Sequence, residues 1–330
     1  MSRVILSIGD PNGIGPEIAV KAARQLTAEP ELAPVLVGSV AVVEPWAKVF
    51  GARVRELDSA REPEPGLVDV LPVPGPTARP GVVSAEAGEA TVANLRAAVA
   101  AVRAGLGRGI VAGPHSETAV NAAGIRFDGY PGLLADLAGV PRDRVFLMLV
   151  GGGLRVVHAT LHERLADALS RLSADLVVAA GLAAAEFLRT RGVVAPRLGL
   201  FGINPHAGEG GLFGGDDARV TEPAAERLRG EGLRVVGPLG ADVALASPVV
   251  RGELDAWVAM YHDQGHIPVK VLAGRTASAL TVGAGLAFSS VGHGAAFDIA
   301  GRGVADPEAV VRAIRLIGTP AAAPAGRVPA

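Results

Sequence analysis

The chain contains no cysteine, so disulfide bonds, thiolate nucleophiles and thiolate metal ligands are all excluded. It also has no run of about 18 apolar residues free of glycine and charge, so the sequence predicts no membrane-spanning helix. The first residues lack the apolar length of a secretory signal peptide. The formal net charge is only −2, which gives no electrostatic reason to expect a nucleic acid or an acidic membrane as a partner. We therefore expect a cytoplasmic protein.

The sequence does contain enough apolar material for a large core. Its 330 residues are 49% hydrophobic and 19% charged, which fits one large or two medium domains. Short apolar runs alternate with helical patterns, so we predict an α/β fold with a largely parallel sheet. Apolar runs at 145–150 and 154–157 flank three glycines and predict a hairpin. Residues 59–89 predict an irregular connection, and a last helix is expected at about 307–317.

The stretch Met260–Lys270 carries the densest group of reactive side chains. It follows an apolar run that predicts a buried strand, and it places two imidazoles, a carboxylate, an amide and a lysine within nine residues. Gly265 and Pro268 are predicted to keep this stretch from continuing as regular strand or helix. A strand that ends in a polar loop is the usual layout of an α/β active site, and a solvated loop that happens to hold two histidines is the alternative.

The seven histidines are all predicted to lie in or beside loops at strand ends, and none in the middle of a helix. His162, His206 and His262 each follow a predicted strand, and the carboxyl ends of parallel strands lie along one edge of a sheet. Three converging imidazoles with one open position would suit a catalytic zinc or another divalent ion. Asp263 could then orient a ligand through a hydrogen bond. Spacing alone leaves open the alternative that these are ordinary hydrogen-bonded loop histidines.

A glycine-rich turn at Gly9–Glu17 joins the first predicted strand to the first predicted helix. Gly13 and Gly15 would let the backbone approach a ligand, and the amino end of the helix favours an anion. A tight connection without any ligand is the alternative. A second polar loop holds His115, where the alternative is simple helix capping by Ser116 or Thr118.

Four sequence motifs occur together in a recognisable order. They are Gly9–Glu17, Asn204–Gly210, Tyr261–Gly265 and Ser290–Gly294. With these motifs the chain resembles the 4-hydroxythreonine-4-phosphate dehydrogenase (PdxA) family over about residues 4–317. The resemblance implies a two-domain α/β/α fold like that of isocitrate and isopropylmalate dehydrogenases, with the active site in the cleft between the domains. It also implies a homodimer, a divalent metal for which zinc is the first candidate, and NAD or NADP.

The resemblance further implies domain boundaries, metal ligands and cofactor contacts. The expected domains are 1–130 with 290–330, and 131–289, of which the second carries the metal site and the dimer contacts. By motif position the metal ligands are the three histidines that follow predicted strands, one of them supplied by the partner subunit. The segment around His162 departs from the family's usual Thr-Thr-His pattern. The residues expected at the cofactor are Gly13, Gly15, His293, Gly294 and Asp298.

The departures from the family pattern concern groups that bind a phosphate. Residues 129–132 read Gly-Tyr-Pro-Gly where the family usually has Gly-His-Thr-Glu, and Phe288 replaces a substrate-binding arginine. Glu117 replaces a lysine and Ala279 replaces an asparagine, whereas Lys270 is retained. Histidine, threonine, asparagine and arginine suit a phosphate with hydroxyls, while tyrosine and phenylalanine suit a ring. We therefore expect the metal and the oxidation chemistry to be kept and the phosphate pocket to be lost.

This pattern is similar to one branch of the family, the terephthalate dihydrodiol dehydrogenases. The branch implies a cis-dihydrodiol of a benzene dicarboxylate as substrate and a catechol carboxylate as product, with loss of carbon dioxide. Lys270 would bind a carboxylate or transfer a proton, and Asp263 would act as a base or orient a metal ligand. His115, Tyr130 and Phe288 would contact the substrate. The alternatives are a 4-hydroxythreonine-4-phosphate or four-carbon acid phosphate dehydrogenase, and an inert ligand-binding protein on this scaffold.

Overall fold

The chain folds into two compact α/β units. The computed structural model describes residues 3–59, 61–127, 129–246 and 252–319. One unit consists of Met1–Leu133 with Leu286–Thr319, and the other consists of Leu134–Gly285. The first unit is therefore discontinuous in sequence. The terminal segment 320–330, which the sequence assigns to the first domain, lies outside the described residues.

The strands of the first unit all run parallel. They are β1 Arg3–Ser7, β2 Val35–Gly38, β3 Arg53–Glu56, β4 Leu67–Pro72, β5 Gly107–Ala112 and, after the second unit, β12 Phe288–Ser290. Their order is β3-β4-β2-β1-β5-β12. β1 is central and buried along its whole length, which agrees with its short continuous apolar sequence.

The helices of the first unit form two packed groups. The helices are Gly15–Gln25, Val40–Val49, Ala85–Arg103, Glu117–Ala122 and Glu308–Gly318, with a helical turn at Leu26–Ala28. Gly15–Gln25 packs against Val40–Val49 and Glu308–Gly318, whereas Ala85–Arg103 packs against Glu117–Ala122. The helix Tyr130–Ala138 contains the boundary between the two units.

The second unit combines a hairpin with a parallel sheet. Its strands are β6 Phe146–Gly151, β7 Leu154–His158, β8 Arg197–Phe201, β9 Arg234–Leu239, β10 Ala256–Ala259 and β11 Ser278–Val282. Their order is β11-β6-β7-β10-β8-β9. β6 and β7 are antiparallel, which confirms the predicted hairpin, and β11 is antiparallel to β6. β7, β10, β8 and β9 are parallel.

Helices and a buried aromatic pair complete the second unit. The helices among the described residues are Leu165–Arg171, Ala174–Thr190, Asp216–Arg219, Thr221–Gly230, Ala241–Ala246 and His262–Ala273, with helical turns at Arg142–Arg144 and Gly274–Thr276. Pro205–Gly211 is a turn whose backbone is mostly left-handed. His262–Ala273 packs against β6, β7 and β10. In the core, the rings of Phe201 and Trp257 stack with centroids 4.8 Å apart. Gly199 lies against the indole, where a Cβ would stand 2.3 Å from the ring.

The prediction that Met260–Lys270 forms a loop is wrong, because most of it belongs to the helix His262–Ala273. The helix includes Gly265 and Pro268, the two residues that the sequence suggested would prevent it. Gly265 is buried where the helix meets β7, so packing requires a residue without a side chain there. The energy of packing outweighs the low helix propensity of glycine and proline. The expectation that no histidine lies inside a helix is also wrong for His266.

The prediction of an irregular connection over residues 59–89 is wrong in part. The segment contains β4, and the helix Ala85–Arg103 begins before its end. The sequence pattern did not predict β4, because a carboxylate, Asp69, interrupts the apolar residues of this strand. Asp69 is buried and forms ion pairs with the guanidinium groups of Arg3 and Arg55. A paired charge of this kind is tolerated inside a sheet, although it breaks the apolar pattern.

The described helices give no single candidate for a membrane span. No one of them is long and apolar enough to cross a bilayer. Leu165–Arg171 and Ala174–Thr190 pass that test only as a pair, and they meet at an angle of 93°.

Candidate active site

Three histidine-bearing segments follow the carboxyl ends of neighbouring strands in the second unit. β7, β10 and β8 are adjacent and parallel, so their carboxyl ends lie side by side. His162 follows β7, His262 follows β10 and His206 follows β8. The sheet topology thus places the three segments chosen from the sequence next to one another.

His262 and His162 lie side by side at this edge. Their ring centroids are 5.4 Å apart. Nδ1 of His262 lies 2.7 Å from Oδ1 of Asp263. A carboxylate in this position holds a neutral imidazole in the tautomer with a hydrogen on Nδ1, which leaves the lone pair of Nε2 free for a metal.

His206 lies in a strained loop. His206, Ala207 and Glu209 have φ values of 54°, 53° and 45°, and Gly208 and Gly210 continue the same left-handed turn. Left-handed backbone costs roughly 1–2 kcal/mol for each residue with a side chain. Strain of this kind persists where the surrounding structure imposes it, and it is concentrated at functional sites. Nδ1 of His206 lies 2.8 Å from Oε2 of Glu209, so its Nε2 is also left for another partner.

The carboxylate of Asp217 holds the strained loop in place. Asp217 is buried and accepts hydrogen bonds from the backbone N–H of Ile203 at 2.7 Å and of Asn204 at 3.0 Å. It also accepts one from the hydroxyl of Thr221 at 2.7 Å. Sequence analysis missed Asp217. The only sequence feature that could have pointed to Asp217 is an Asp-Asp pair after the Gly-rich segment, and acidic residues are common in the first turn of a helix.

Replacing Asp217 with asparagine is expected to lower the free energy of unfolding by about 2–4 kcal/mol, because the new amide cannot accept all these bonds. Asp216→Asn is the matched control, since that side chain is more exposed and should change stability by less than about 0.5 kcal/mol. Urea unfolding measured by circular dichroism gives both values. Similar small changes in the two variants would contradict a clamping role.

The metal site stays a prediction. Among the described residues, no three His, Asp or Glu side chains are arranged to hold a metal ion. The donors themselves nevertheless suit a divalent metal. His206 and His262 each have Nδ1 against a carboxylate, which is the usual arrangement of metal-ligating histidines, and both side chains are at least partly exposed. A partner subunit could therefore reach them.

Sequence analysis gave no role to His158 and His266, two histidines that lie next to His262. His158 is the last residue of β7 and is 1% exposed. Its Nδ1 lies 3.2 Å from the carbonyl oxygen of Leu147, and its Nε2 lies 3.0 Å from Nδ1 of His266. The ring of His266 in turn stacks on that of His262, with centroids 3.8 Å apart and planes 15° from parallel.

Both rings of this pair are neutral at pH 7. Burial lowers the pKa of His158 to about 3, and a positive charge on a protonated His266 would act in the same direction. Burial also lowers the pKa of His266 to about 4, with further contributions from His262, His162 and Lys270. Two neutral imidazoles can share one hydrogen bond without electrostatic repulsion.

We expect the folded protein to lose stability as the pH falls below the histidine value of about 6.5. Between that pH and about 4 the unfolded chain binds protons that the folded chain does not, so the free energy of unfolding decreases. For the buried His158 the loss from pH 7 to pH 5 should be about 2 kcal/mol. Urea titrations at several pH values measure it. His158→Leu should show a shallower dependence, and an unchanged slope in that variant would contradict the assignment.

Lys270 stands on the same helical face as two of these histidines. His262, His266 and Lys270 are spaced by four residues on the helix His262–Ala273. Lys270 is exposed, and its charge is near enough to contribute to the low pKa of His266. The predicted carboxylate-binding group thus shares a helix face with a predicted metal ligand.

In the first unit, the residues predicted to bind substrate come together in an aromatic cluster. The ring centroids of His115 and Tyr130 are 4.8 Å apart, and those of Tyr130 and Phe288 are 5.0 Å apart. Phe127, which sequence analysis did not single out, lies 4.7 Å from His115 and 5.6 Å from Tyr130 by the same measure. Phe288 is fully buried, so in a single chain it supports the Tyr130 ring. We refer to these four residues as the aromatic cluster.

The polar atoms of the aromatic cluster favour a binding role for His115. The hydroxyl of Tyr130 lies 3.0 Å from Nδ1 of His115, whose Nε2 is buried without a hydrogen-bond partner among the described residues. Burial lowers the pKa of His115 and raises the pKa of Tyr130, so both are neutral at pH 7. A buried nitrogen without a partner is costly unless a ligand or water bonds to it. The same loop also caps a helix, because Ser116 accepts a hydrogen bond from the N–H of Ala119.

The glycine-rich turn has packing reasons for its glycines. A Cβ on Gly13 would stand 2.7 Å from Ala295, and one on Gly15 would stand 2.1 Å from the carbonyl oxygen of Ile8. The N–H groups of residues 12–14 are bonded within the chain, to Asp10 and Ala295. Asp10 is fully buried, burial raises its pKa, and its Oδ2 has no partner among the described residues. The tight connection therefore explains both glycines, and their contact with a cofactor stays a prediction.

The other predicted cofactor residues lie together after β12. His293, Gly294 and Asp298 are exposed. Between them, Ala296 has a φ of 44°, a left-handed conformation that a residue with a side chain rarely adopts. The segment is adjacent to the glycine-rich turn, since the N–H of Ile14 donates to the carbonyl of Ala295. Its accessibility and strain are compatible with a ligand site.

Comparison with known proteins places the chain among dehydrogenases. The family described as pyridoxal phosphate biosynthetic protein PdxA matches residues 31–317. A 1,2-dihydroxy-3,5-cyclohexadiene-1,4-dicarboxylate dehydrogenase from a Comamonas species is 48% identical over 321 residues, covering 96% of this chain and 97% of that protein. The crystal structure of a terephthalate 1,2-cis-dihydrodiol dehydrogenase from Burkholderia xenovorans LB400 is 51% identical, with a TM-score of 0.79 and coverage of 96% and 98%. A 4-hydroxythreonine-4-phosphate dehydrogenase from Burkholderia phymatum is 36% identical, with a TM-score of 0.86 and the same coverage.

Proposed function

Since the chain belongs to the PdxA family and its relatives are dehydrogenases, we propose that it is a metal-dependent NAD(P) dehydrogenase acting on a carboxylated cis-dihydrodiol. The reaction oxidises a secondary alcohol β to a carboxylate. The resulting β-keto acid loses carbon dioxide, and the ring becomes a catechol. With terephthalate dihydrodiol as the substrate, the product is protocatechuate. The position of the active site in a cleft between the two domains stays a prediction.

The aromatic cluster is the observation that carries this proposal. Phe288 and Tyr130 occupy family positions that usually hold an arginine and a histidine, and here their rings are in contact. The described residues that line the adjoining cavity include no lysine or arginine. A phosphate dianion buried there would have no cation to offset its desolvation. The apolar and aromatic side chains around this cavity suit contact with an aromatic or cyclohexadiene ring better than contact with a phosphate.

The metal would be held by His162, His206 and His262, with one of them from the partner subunit. When bound, the metal polarises the substrate oxygens as a Lewis acid, and NAD(P) accepts the hydride. Asp263 keeps the hydrogen of His262 on Nδ1, so that Nε2 can bind. Asp263 can also receive a proton, because most of its side chain is exposed.

The remaining roles follow from charge and position. Lys270 binds the substrate carboxylate or carries a proton, since it presents an exposed ammonium group on the same helix face as His262. His115 offers its unpartnered Nε2 to a polar group of the substrate, and Tyr130 holds the other ring nitrogen. The cofactor meets the exposed segment around His293 and Asp298, together with the glycine-rich turn.

A substrate panel tests the proposal. Purified protein is incubated with Zn²⁺, Mn²⁺ or Co²⁺, with NAD or NADP, and with either terephthalate cis-dihydrodiol or 4-phosphohydroxythreonine. Reduced cofactor is followed by absorbance and carbon dioxide by release of label. We expect turnover of the dihydrodiol, with at least about 1,000-fold lower kcat/KM for the phosphorylated substrate. The reverse preference would refute the proposed substrate and favour the 4-hydroxythreonine-4-phosphate alternative.

We also propose that the protein acts as a homodimer. On the helix that carries His262, Ile267 and Val271 lie one turn apart and are 57% and 77% exposed. Apolar side chains of this size at neighbouring exposed positions are typical of an interface.

Replacing Ile267 with glutamate is expected to shift the protein from dimer to monomer, because the charge would be buried at the interface. Sedimentation equilibrium measures the change. Val194→Glu is the control, since Val194 is 91% exposed on a loop of the same unit. A glutamate variant at position 267 that stays dimeric would exclude this face.

A further inference from the structure

We infer that His158 and His266 form a positioning pair that fixes the imidazole of His262 for metal binding. The inference rests on the proposed metal site, to which it adds two residues that sequence analysis gave no role. Neither residue needs to contact the metal or the substrate. His158 and His266 influence metal binding only by fixing the ring of His262.

The direction of the hydrogen bonds between these histidines follows from the backbone carbonyl group of Leu147, which bonds to His158. The carbonyl oxygen of Leu147 can only accept, so Nδ1 of His158 carries the hydrogen. His158 is 1% exposed, and an imidazole whose only hydrogen is on Nδ1 has its lone pair on Nε2, which accepts from Nδ1 of His266. His266 is therefore also fixed in one tautomer, and its ring plane is set by a bond to a residue inside the sheet.

The fixed ring of His266 supports the ring of His262 from one face. The two rings are nearly parallel with centroids 3.8 Å apart, which is contact distance. At its edge, Nδ1 of His262 is held by Asp263. A ring that is stacked on one face and bonded at one nitrogen has little freedom to rotate. Its Nε2 therefore keeps one direction before a metal arrives, which lowers the cost of binding.

The backbone of Gly265 lies close to this pair of histidines. A Cβ at Gly265 would stand 2.4 Å from Nε2 of His158, so only glycine lets the helix come close enough for the bond to His266. Two polar rings in this place cost desolvation that apolar side chains would not. An ordinary core contact would not need a glycine, a buried imidazole and a matched tautomer at once. This combination favours a positioning role over simple packing.

Three substitutions of His158 separate positioning from packing. Glutamine keeps an acceptor near the place of Nε2, asparagine keeps a polar group only near the place of Nδ1, and leucine keeps neither. Each variant is titrated with Co²⁺ against a competing chelator, and its unfolding free energy is measured in parallel. We expect His158→Leu and His158→Asn to weaken metal affinity by about 10- to 100-fold, and His158→Gln to retain most of it.

A second measurement does not depend on metal or activity. Long-range ¹H–¹⁵N NMR spectra of the metal-free dimer report which ring nitrogen carries the hydrogen. We expect His266 with hydrogen on Nδ1 in the wild type and in His158→Gln, and a mixture of tautomers in His158→Leu. Exchange broadening of the His262 signals should increase in the leucine variant.

Two results would overturn the inference. One is equal metal affinity in all three variants. The other is an unchanged tautomer of His266 in His158→Leu. If the wild type bound no divalent metal, the proposed metal chemistry would fail. The NMR comparison would then still decide whether His158 fixes the rings of His266 and His262, so the two failures are distinguishable.

Discussion

Replacing His262 with alanine is expected to lower kcat/KM for the dihydrodiol by at least about 1,000-fold. A bound metal contributes several kcal/mol of transition-state stabilisation, and about 4 kcal/mol corresponds to that factor. The substitution removes one proposed ligand and also the ring that stacks on His266. Bound metal, measured by inductively coupled plasma mass spectrometry, should fall from about one per site to near zero.

The control for this experiment is Val194→Ala, which changes an exposed side chain in the same unit. It should keep both the metal content and kcat/KM within about twofold of the wild type. Full metal content together with full activity in His262→Ala would remove His262 from the ligand set. Loss of activity with full metal content would instead assign His262 to the substrate.

Replacing Gly265 with alanine is expected to destabilise the protein by about 1–3 kcal/mol and to weaken metal binding. The new methyl group would stand 2.4 Å from Nε2 of His158 and 2.8 Å from Cγ1 of Val156. Both neighbours are buried in the sheet, so the helix must move instead. Such a shift would break the bond between His158 and His266 and displace His262.

Gly230→Ala provides a matched control for a glycine in a helix. Gly230 ends the helix Thr221–Gly230, and a Cβ there would meet nothing within 4 Å. Alanine has a helix propensity about 1 kcal/mol better than glycine, so this variant should be neutral or slightly stabilised. Thermal and urea unfolding of the two variants give the comparison. If Gly265→Ala were as stable as Gly230→Ala and bound metal normally, the close packing would not control the site.

Much of the candidate site could be predicted from the sequence. Histidines that follow short apolar runs predict side chains at strand ends, and parallel strands bring such ends to one edge. His162 and His262 are accordingly adjacent. The replacement of phosphate-binding groups by Tyr130 and Phe288 predicted side chains that suit a ring in the substrate. The two side chains are in contact, and their binding of a substrate stays a prediction. The family itself, recognised from four short motifs, is confirmed by its match over residues 31–317.

Other parts could not be predicted because they depend on contacts between distant residues. Asp217 is important because it accepts hydrogen bonds from the backbone N–H groups of the two residues Ile203 and Asn204, which lie just before the strained turn. No local sequence pattern predicts these bonds. His158 and His266 are 108 residues apart in sequence, and only the packing of a helix on β7 joins them. Phe127 has no motif of its own and becomes part of the aromatic cluster through proximity to His115.

The sequence by itself determined the α/β class, the family and the kinds of side chain available for chemistry. These follow from apolar periodicity and residue type, which are local properties of the chain. The tertiary structure alone decided that Met260–Lys270 becomes largely helical and that His158 supports His266. The physical reason is that packing energy depends on which surfaces meet, and it can exceed the local preferences of glycine and proline.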